Sequence, residues 1–462
     1  MSDAIRGALR EILPAEAILP PTPAASWPPD APQPAAFLAP ASEEQLAELM
    51  VRASEEGWSV LPAGLSTWLG GYGTPEVDLV VSTRNLRKIE SYEPADLTFT
   101  ADAGIPWKAL QEATGAKGQW LPLDPPGSGA GSLGAMVATG VSGPLRQAYG
   151  APRDHVLGVT MVTGDGRILN WGGRVVKNVA GFDITRLTIG SWGALGVITS
   201  VSARLFPLPE TDTTILLRAP VAEDLLDVAR EMALSPLPLS AVELLDPMDA
   251  VWPPSDDGAG VEGGKLDWRG DGGRSGPHGG AALALRIHGS ERQAREIESR
   301  VRASLAGEER VAGGAASVVA LRGPESLAFH QALEDWEEGA GLVLRLSLLP
   351  SLMERLLGEA RELSGRFGRL DLAAHLGWGV LRVGFPRVPA GDGERMALAG
   401  ALRELRGRLE AAGGGLVVSQ GPAGLLKEVG SRGEGGGEAS LMRGLKEEFD
   451  PAGILSPGRF RG

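Results

Sequence analysis

The chain has 462 residues, a formal net charge of −14 at pH 7 and no cysteine. A chain of this length supports about two or three domains with a full-sized core. The acidic balance argues against binding to nucleic acid or anionic membranes, because both require basic patches. Without cysteine, the chain can form neither a disulfide nor a cysteine-ligated iron–sulfur cluster. No apolar run approaches the length of a membrane span, and the N-terminus lacks a basic start with an apolar core, so we expect a cytoplasmic protein.

The first domain is predicted to begin after an N-terminal arm. Residues 1–40 combine a short polar start with proline- and alanine-rich sequence, which is typical of a mobile arm. Ser42 then opens a capping-box pattern that predicts a helix to about Glu56. Apolar runs between turn residues predict strands at 77–82, 97–103 and 156–163. The prolines at 207–210 mark the expected end of an α+β domain over 41–210.

Small residues and glycines are concentrated in three segments of this domain. In the first, small residues and hydroxyls at 63–67 follow an apolar strand, and successive backbone N–H groups there can converge on an anion. The second, 121–143, exposes backbone amides, and the third, 172–199, mixes glycines with β-branched residues, which is typical of close approach to another surface. Neither loop is a Walker A or a Rossmann G-x-G-x-x-G. The segments predict a flat, diphosphate-bearing nucleotide cofactor held by another fold.

The order of these motifs resembles a known family. Pro-Ala-Gly-Leu-Ser-Thr comes first, Ser-Leu-Gly-Ala second, and Lys-Asn-Val-Ala-Gly-Phe-Asp with Gly-Ser-Trp-Gly-Ala-Leu-Gly-Val-Ile-Thr third. This series and the tail at 445–459 resemble the FAD-linked oxidases of the vanillyl-alcohol oxidase type, and within them the FAD-binding subunits of glycolate oxidase. The resemblance covers roughly 40–210 and the tail well, and the middle of the chain poorly.

The resemblance implies an α+β fold, in which a PCMH-type FAD-binding domain is followed by a ferredoxin-like α+β cap domain. We expect the cap over 211–440, where strand-like and helical patterns alternate. Residues 253–280 carry almost no apolar content and are predicted to be a disordered insertion in the cap. The C-terminal segment 441–462 is expected to return to the flavin domain.

By resemblance, the FAD-binding residues lie in the two loops, after the third glycine segment and in the tail. They are Ala63, Gly64, Leu65, Ser66, Thr67, Ser132, Leu133, Gly134, Thr139, Gly143, Gly196, Val197, Ile198 and Arg459. Arg459 is expected to pair with the cofactor or a carboxylate substrate, or to be a solvated surface residue. We expect non-covalent FAD, because Leu65 and Ser66 stand where covalent members carry a histidine, and no cysteine is available.

A metal and substrate motif of catalytic members, His-x-Gly-Asp-Gly-Asn-x-His, is depleted in this chain. His375 is kept, but Trp378, Val380 and Arg382 replace the aspartate, the asparagine and the second histidine. Arginine stays protonated and offers no lone pair to a metal, and one histidine does not make a metal site. We therefore predict no metal and interpret His375 as an ordinary sheet histidine.

No catalytic residue is assigned from the sequence. Lys177 and Asn178 are the best polar candidates near the flavin, either for substrate contact or for hydrogen bonds within the glycine-rich turn. His155 follows Asp154, but no serine or cysteine nucleophile motif accompanies this pair, so packing is the expected role. The remaining histidines have no clustered partner in the sequence and are expected to be structural or solvated; these are His278, His288 and His330.

The resemblance also implies a function and partners. We expect a non-covalent FAD-binding subunit of a glycolate oxidase-like dehydrogenase complex that oxidises small 2-hydroxy acids. A sister FAD-binding catalytic subunit and an iron–sulfur subunit are its expected partners, and membrane association would come through them. One alternative is a self-sufficient FAD-dependent dehydrogenase of another substrate. The other is a flavin-fold subunit that only supports assembly.

Overall fold

The computed structural model describes residues 2–19, 27, 32–69, 76–127, 129–173, 183–219, 221–247, 280–305, 318–430 and 439–459. The chain divides into two compact units. The first unit comprises Met1–Ser142, Gly150–Leu208 and Glu434–Gly462, and the second comprises Gly143–Tyr149 and Pro209–Gly433. The change of unit at Leu208 lies close to the predicted boundary at residue 210. Among the described residues, no helix is both long and apolar enough to cross a membrane.

Helices and strands alternate irregularly along the chain. The α-helices are α1 (Ser2–Ile12), α2 (Glu43–Glu56), α3 (Trp107–Gly115), α4 (Leu133–Thr139), α5 (Arg146–Tyr149), α6 (Pro152–His155), α7 (Ile184–Thr188), α8 (Glu223–Leu234), α9 (Glu291–Leu305), α10 (Pro324–Asp335), α11 (Met353–Phe367), α12 (Asp392–Ala411), α13 (Ala423–Val429) and α14 (Ala439–Phe449). Short 3-10 helices lie at Ala15–Ala17, Pro94–Asp96, Trp336–Gly339, Pro350–Leu352 and Leu376–Trp378. The strands are β1 (Ile18–Leu19), β2 (Ala36–Leu38), β3 (Val60–Ala63), β4 (Leu79–Ser82), β5 (Ile89–Glu93), β6 (Thr98–Asp102), β7 (Gln119–Trp120), β8 (Val156–Val162), β9 (Ile168–Gly172), β10 (Val197–Arg204), β11 (Phe206–Pro207), β12 (Thr211–Ala219), β13 (Ala241–Asp246), β14 (Ala281–Gly289), β15 (Val318–Arg322), β16 (Leu342–Ser347), β17 (Asp371–His375), β18 (Val380–Phe385) and β19 (Gly415–Gln420).

The first unit is built on two main sheets. A four-stranded sheet has the order β1-β2-β4-β3, in which β4 runs parallel to both β2 and β3. A five-stranded antiparallel sheet has the order β5-β6-β10-β8-β9. Helix α2 begins as the capping pattern predicts, because the Ser42 hydroxyl accepts a hydrogen bond from the backbone N–H of Gln45. The mixture of helices and sheets confirms the predicted α+β class.

The prediction of a mobile arm over 1–40 is wrong for its described part. Residues 2–12 form α1, and Ile5 and Leu9 of that helix are buried in one apolar cluster with residues of α2 and of the four-stranded sheet. The apolar spacing i, i+4 gives α1 a face that packs against the domain. Within the proline- and alanine-rich sequence of residues 1–40, the apolar pattern of this short amphipathic helix is a weak signal.

The second unit consists of two ferredoxin-like modules joined edge to edge. Residues 211–322 follow the order strand, helix, strand, strand, helix, strand, and their strands are arranged as β15-β12-β14-β13. Residues 342–420 repeat this order, with strands arranged as β17-β18-β16-β19. Antiparallel pairing of β13 with β17 makes one eight-stranded sheet. The predicted ferredoxin-like cap is thus confirmed, and the structure adds that the motif occurs twice.

The two faces of this eight-stranded sheet differ in chemistry. One face packs against α8, α9, α11 and α12 in a single apolar core. The other face carries a smaller apolar cluster around α10, and polar side chains lie beside it on β13, β14, β17 and β18. Because side chains alternate along each strand, the apolar core and the polar groups share the same strands. The predicted insertion at 253–280 lies, apart from Gly280, outside the described residues.

Candidate functional site

An open pocket with an empty volume of about 570 Å³ lies in the first unit. The described part of its wall is made of small, hydroxyl-bearing and apolar residues together with one guanidinium, and no carboxylate belongs to that part. The lining residues are Pro62, Ala63, Gly64, Ser66, Thr67, Trp68, Leu69, Thr83, Gly134, Ala135, Ala138, Thr139, Trp192, Gly193, Gly196, Val197, Ile198 and Arg459. Three stretches far apart in sequence therefore meet with the C-terminal tail at one cavity.

The first wall of the pocket is the loop after β3. The Ser82 hydroxyl donates a hydrogen bond to the carbonyl of Gly64 at 2.6 Å, and the Thr67 hydroxyl donates one to the carbonyl of Ala130 at 2.8 Å. A Cβ atom on Gly64 would lie 2.0 Å from the Ser132 hydroxyl oxygen, so no other residue fits there without displacement. The missing side chain at Gly64 therefore leaves room for Ser132.

The second wall is the helix α4. The Ser132 hydroxyl caps its first turn by accepting a hydrogen bond from the backbone N–H of Ala135. Gly134 donates its N–H to the carbonyl of Ala103 at 2.7 Å, and a Cβ on Gly134 would lie 2.5 Å from the Ala103 methyl carbon. Gly134 therefore also allows close packing of α4 against the end of β6.

Backbone strain is concentrated beside this pocket. Among the described residues other than glycine, positive φ angles occur at Ser66 (72°), Leu97 (53°), Trp192 (55°) and Ser456 (43°). Ser66 and Trp192 line the pocket, and Ser456 contacts Trp192. Left-handed backbone costs free energy for residues with a Cβ, and it is found most often where a binding site requires a particular shape.

The C-terminal tail is held to the rest of the first unit by hydrogen bonds. The Ser456 N–H donates to the carbonyl of Val60, and the ammonium group of Lys446 donates to the carbonyl oxygens of Ala194 and Leu455 and to the Asp450 carboxylate. Burial lowers the pKa of Lys446, and the hydrogen bond to Asp450 opposes that shift. These contacts confine the last turns of the described chain to the pocket rim.

The Arg459 guanidinium is fixed within the pocket wall. It donates a hydrogen bond to the carbonyl of Leu69 and lies over the Trp192 ring, with Cζ 5.7 Å from the ring centroid. The residue is buried, so the sequence alternative of a solvated surface arginine is wrong. A buried guanidinium in a wall of small and hydroxyl-bearing residues makes this pocket suitable for an anionic, diphosphate-bearing cofactor.

The structure brings together most, though not all, of the residues predicted to bind the cofactor. Those that line the pocket are Ala63, Gly64, Ser66, Thr67, Gly134, Thr139, Gly196, Val197, Ile198 and Arg459. Leu65 and Ser132 do not line the pocket but lie next to residues that do. Leu133 is buried in an apolar cluster of the first unit. Gly143 belongs to the second unit and does not line the pocket, so its role in FAD binding stays a prediction. Lys177 and Asn178 lie outside the described residues.

Sequence reasoning missed several lining residues. Trp68, Leu69, Thr83 and Trp192 have bulky or ordinary side chains that no glycine pattern marks. Trp192 lies inside the quoted Gly-Ser-Trp-Gly motif, and its position between two glycines was the available signal.

His155 is buried with its ring in edge contact with Phe206, which agrees with the expected packing role. His288 and His330 do have partners, contrary to the expectation, since His288 lies 3.3 Å from Asp212 and His330 lies 2.9 Å from the Thr214 hydroxyl.

The depleted metal motif lies in the second unit, and its residues do not suit a metal. His375 on β17 is buried, and its Nδ1 contacts Oε2 of Glu243 on β13. The Arg382 guanidinium donates a hydrogen bond to Glu337 at 2.7 Å, and Trp378 stacks on the His375 ring. No group of three or more histidine, aspartate or glutamate side chains among the described residues is arranged to hold a metal ion. The absence of a metal stays a prediction.

A second buried polar cluster lies on the same sheet. Asp212 on β12 accepts hydrogen bonds from Arg286 and from the Ser326 hydroxyl, and the His288 ring lies 3.3 Å away. Burial opposes ionisation of Asp212, but His288 and Arg286 outweigh it and hold the pKa of this carboxyl well below its usual range. Tyr149 of α5 contacts His288 at 3.1 Å, which attaches the 143–149 segment to the second unit.

Comparison with known proteins agrees with this geometry. The family model described as "FAD binding domain" matches residues 34–172, and that described as "FAD linked oxidases, C-terminal domain" matches residues 208–460. A solved structure of alkyldihydroxyacetonephosphate synthase has a TM-score of 0.65 with 16% identity, and the match covers 92% of this chain and 77% of that one. At this identity the structural likeness establishes the fold alone.

Curated relatives align with part of the chain. The glycolate oxidase subunit GlcE of Escherichia coli (strain K12) is 39% identical over 181 residues, which are 39% of this chain and 51% of GlcE. The mitochondrial D-lactate dehydrogenase [cytochrome] of Arabidopsis thaliana is 34% identical over 208 residues, 45% of this chain and 36% of that protein. The matched part thus spans about half the length of the first relative and about a third of the second.

These matches confirm the family and the cofactor predicted from the order of the motifs. The FAD binding domain match lies mostly in the unit that contains the pocket, and the match to the C-terminal oxidase domain covers most of the double ferredoxin-like unit and the tail. The chain belongs to the FAD linked oxidase family, and its cofactor is FAD.

Proposed function

We propose that this chain is a non-covalent FAD-binding subunit of a dehydrogenase complex that oxidises small 2-hydroxy acids, in the manner of glycolate oxidase. The observation that carries the proposal is the pocket in which the 63–67 loop, α4, the Trp192 loop and Arg459 meet. The relatives add the substrate class, since glycolate and D-lactate are both 2-hydroxy acids. Cytoplasmic location, with any membrane attachment made by partners, is part of the same proposal.

The described residues suggest how the cofactor would be held. Backbone N–H groups of the 63–67 loop and the buried guanidinium of Arg459 supply donors for a diphosphate. Apolar and small side chains such as Ala138, Val197 and Ile198 leave a flat space for rings. Among the described residues, the pocket lining contains no histidine or tyrosine, and the chain has no cysteine, so we propose that the flavin is held without a covalent bond. When bound, FAD supplies a hydride acceptor.

Oxidation of a 2-hydroxy acid also requires a base for the hydroxyl proton and a cation for the carboxylate. The depleted motif around Trp378 and Arg382 lacks the polar residues that its family counterpart provides. We therefore propose that a sister FAD-binding subunit performs the substrate chemistry. By resemblance, a separate iron–sulfur subunit would take the electrons onward, and any such cluster must lie outside this chain because it has no cysteine to ligate one.

Flavin reduction tests this function directly. The purified holoprotein should be bleached by glycolate or D-lactate slowly or not at all. Addition of a sister flavoprotein and an iron–sulfur subunit should restore oxidation with a dye acceptor and give a stable complex on size-exclusion chromatography. Rapid bleaching of the isolated chain would contradict the subunit proposal and favour a self-sufficient dehydrogenase. Purification without any flavin would favour a role in assembly alone.

A further inference from the structure

We propose that Tyr149, through its hydrogen bond to His288, is a positioning residue for the FAD site. The bond holds the 143–149 segment on the second unit, and this segment closely follows α4, which forms one wall of the pocket. Loss of the Tyr149 hydroxyl should therefore loosen FAD, although Tyr149 is not among the described lining residues. The inference depends on the cofactor and not on the substrate or the partners proposed above.

The connection between the 143–149 segment and the pocket wall is short and buried. The chain belongs to the first unit before and after this segment, which itself belongs to the second. Helix α4 ends at Thr139, which lines the pocket, and the residues at 142–145 that lead into α5 are all buried. One of them is Pro144, whose ring fixes φ. Because a closely packed connection has little freedom to absorb a shift, a displacement of α5 should reach the end of α4.

The His288 ring is oriented so that it can accept the Tyr149 hydroxyl proton. Its Nδ1 lies 3.1 Å from the Tyr149 hydroxyl, and its Nε2 lies 3.3 Å from the Asp212 carboxylate. Arg286 fixes that carboxylate with hydrogen bonds from Nε and Nη2. Burial lowers the pKa of His288, so the ring is neutral and carries one proton. We assign this proton to Nε2, which faces the anion, and Nδ1 therefore accepts a hydrogen bond from Tyr149.

A second contact holds the other end of α5. Cζ of Arg146 lies 4.6 Å from the centroid of the Trp378 ring, and this ring stacks on the buried His375 ring with centroids 4.8 Å apart. A Cβ on Gly377 would lie 3.1 Å from the Gln147 side-chain oxygen, so the two chain segments are in close contact. A helix of four residues has almost no stability by itself, and the position of α5 therefore depends on these contacts.

The rate of FAD release from the diluted holoprotein, followed as a rise in flavin fluorescence, tests this role. Tyr149→Phe removes only the hydroxyl and should release FAD about threefold faster or more, as expected for the loss of one hydrogen bond. Trypsin should also cut after Arg146 faster in this variant, because a loosened segment exposes that peptide bond. Tyr92→Phe is the matched control in the first unit, since the Tyr92 hydroxyl donates a hydrogen bond to the Gln119 side-chain oxygen at 3.0 Å. It should change neither rate.

A double-mutant cycle separates positioning from a general loss of stability in the second unit. His288→Gln removes the Nδ1 acceptor and should also speed FAD release. The double variant with Tyr149→Phe should release FAD no faster than the faster of the two single variants, because both lose the same hydrogen bond. His330→Gln changes another buried histidine of this unit, whose Nε2 lies 2.9 Å from the Thr214 hydroxyl. It should release FAD at the rate of the unaltered protein.

Three results would overturn the positioning role of Tyr149. They are FAD release by Tyr149→Phe at the unaltered rate, equal acceleration by Tyr92→Phe or His330→Gln, and additive effects of Tyr149→Phe and His288→Gln. The measurement needs no turnover, so it is separable from the proposed function. Faster FAD release by Tyr149→Phe from a protein whose flavin glycolate never reduces, even with partners, would support the positioning role and contradict the dehydrogenase.

Discussion

The Ser456 hydroxyl donates a hydrogen bond to the backbone carbonyl of Trp192 at 2.9 Å, and both residues have positive φ angles. Trp192 also donates its N–H to the carbonyl of Ala138 at 2.8 Å. The strained turn at Ser456 in the tail thus holds the strained turn at Trp192 in the pocket wall against α4. The Trp192 indole and the Arg459 guanidinium lie where the tail meets the pocket wall. They keep their positions because the backbone of both the tail and the wall is fixed there.

Replacement of Ser456 should separate the hydrogen bond from the backbone strain. Ser456→Ala removes the hydrogen bond and keeps a Cβ at positive φ, so the free energy of unfolding should fall by about 1–2 kcal/mol. Ser456→Gly loses the same bond but relieves the left-handed strain, and should be less destabilising than alanine. Thermal melting and FAD content per chain measure both effects. Alanine and glycine variants of equal stability would show that φ at this position carries no cost.

Close packing at Gly64 gives a second prediction. Gly64→Ala places a methyl group on the Ser132 hydroxyl and should reduce FAD occupancy and thermal stability together, because the two walls of the pocket are forced apart. Gly7→Ala is the control in the same unit, since a Cβ there meets nothing within 4 Å and alanine favours a helix. Full FAD occupancy in the Gly64 variant would mean that the loop can shift without cost.

The mode of FAD attachment is a third prediction. Acid precipitation of the holoprotein should release the yellow colour into the supernatant, because the described part of the pocket lining offers no histidine or tyrosine and the chain has no cysteine for a covalent bond. Absorbance of the supernatant and of the redissolved pellet measures the division. Flavin that remains on the pellet after repeated washing would contradict non-covalent binding.

Buried histidines give the second unit a dependence on pH. Burial holds the pKa values of His288, His330 and His375 below the ordinary value of about 6.5. Below that pH the unfolded chain binds protons that the folded chain does not, so the free energy of unfolding should fall as pH falls from about 6.5 towards 5. Each histidine contributes up to about 1.4 kcal/mol per pH unit in this window.

His330 allows this dependence to be tested alone. Its Nε2 lies 2.9 Å from the Thr214 hydroxyl, and glutamine can retain a hydrogen bond there without titrating. Urea unfolding of His330→Gln between pH 5 and 7 should therefore show a shallower loss of stability than the unaltered protein. The same slope in both proteins would mean that His330 binds its proton in the folded state as readily as in the unfolded state.

Much of the candidate site could be predicted from the sequence because its signals are local. Glycines and hydroxyl-bearing residues at 63–67 and 132–139 indicate backbone conformations that few residue types adopt. Such patterns can be recognised without knowledge of the fold. The alternation of strands and helices after residue 211 likewise predicts a ferredoxin-like arrangement from patterns within short windows. The helix α1 was missed because a single amphipathic face of 11 residues is a weak signal within proline-rich surroundings.

The family, the cofactor class and the approximate limits of the elements could be predicted from the sequence, because these follow from short motifs and their order. The contacts between residues far apart in the chain are visible only in the tertiary structure. Gly64 lies against Ser132, Ser456 holds Trp192, and Arg146 reaches Trp378. The structure likewise shows that Gly143 belongs to the second unit, together with the segment that follows it. Contacts of this kind depend on how strands pair and helices pack across hundreds of residues, and no local pattern in the chain encodes the partner of a given side chain.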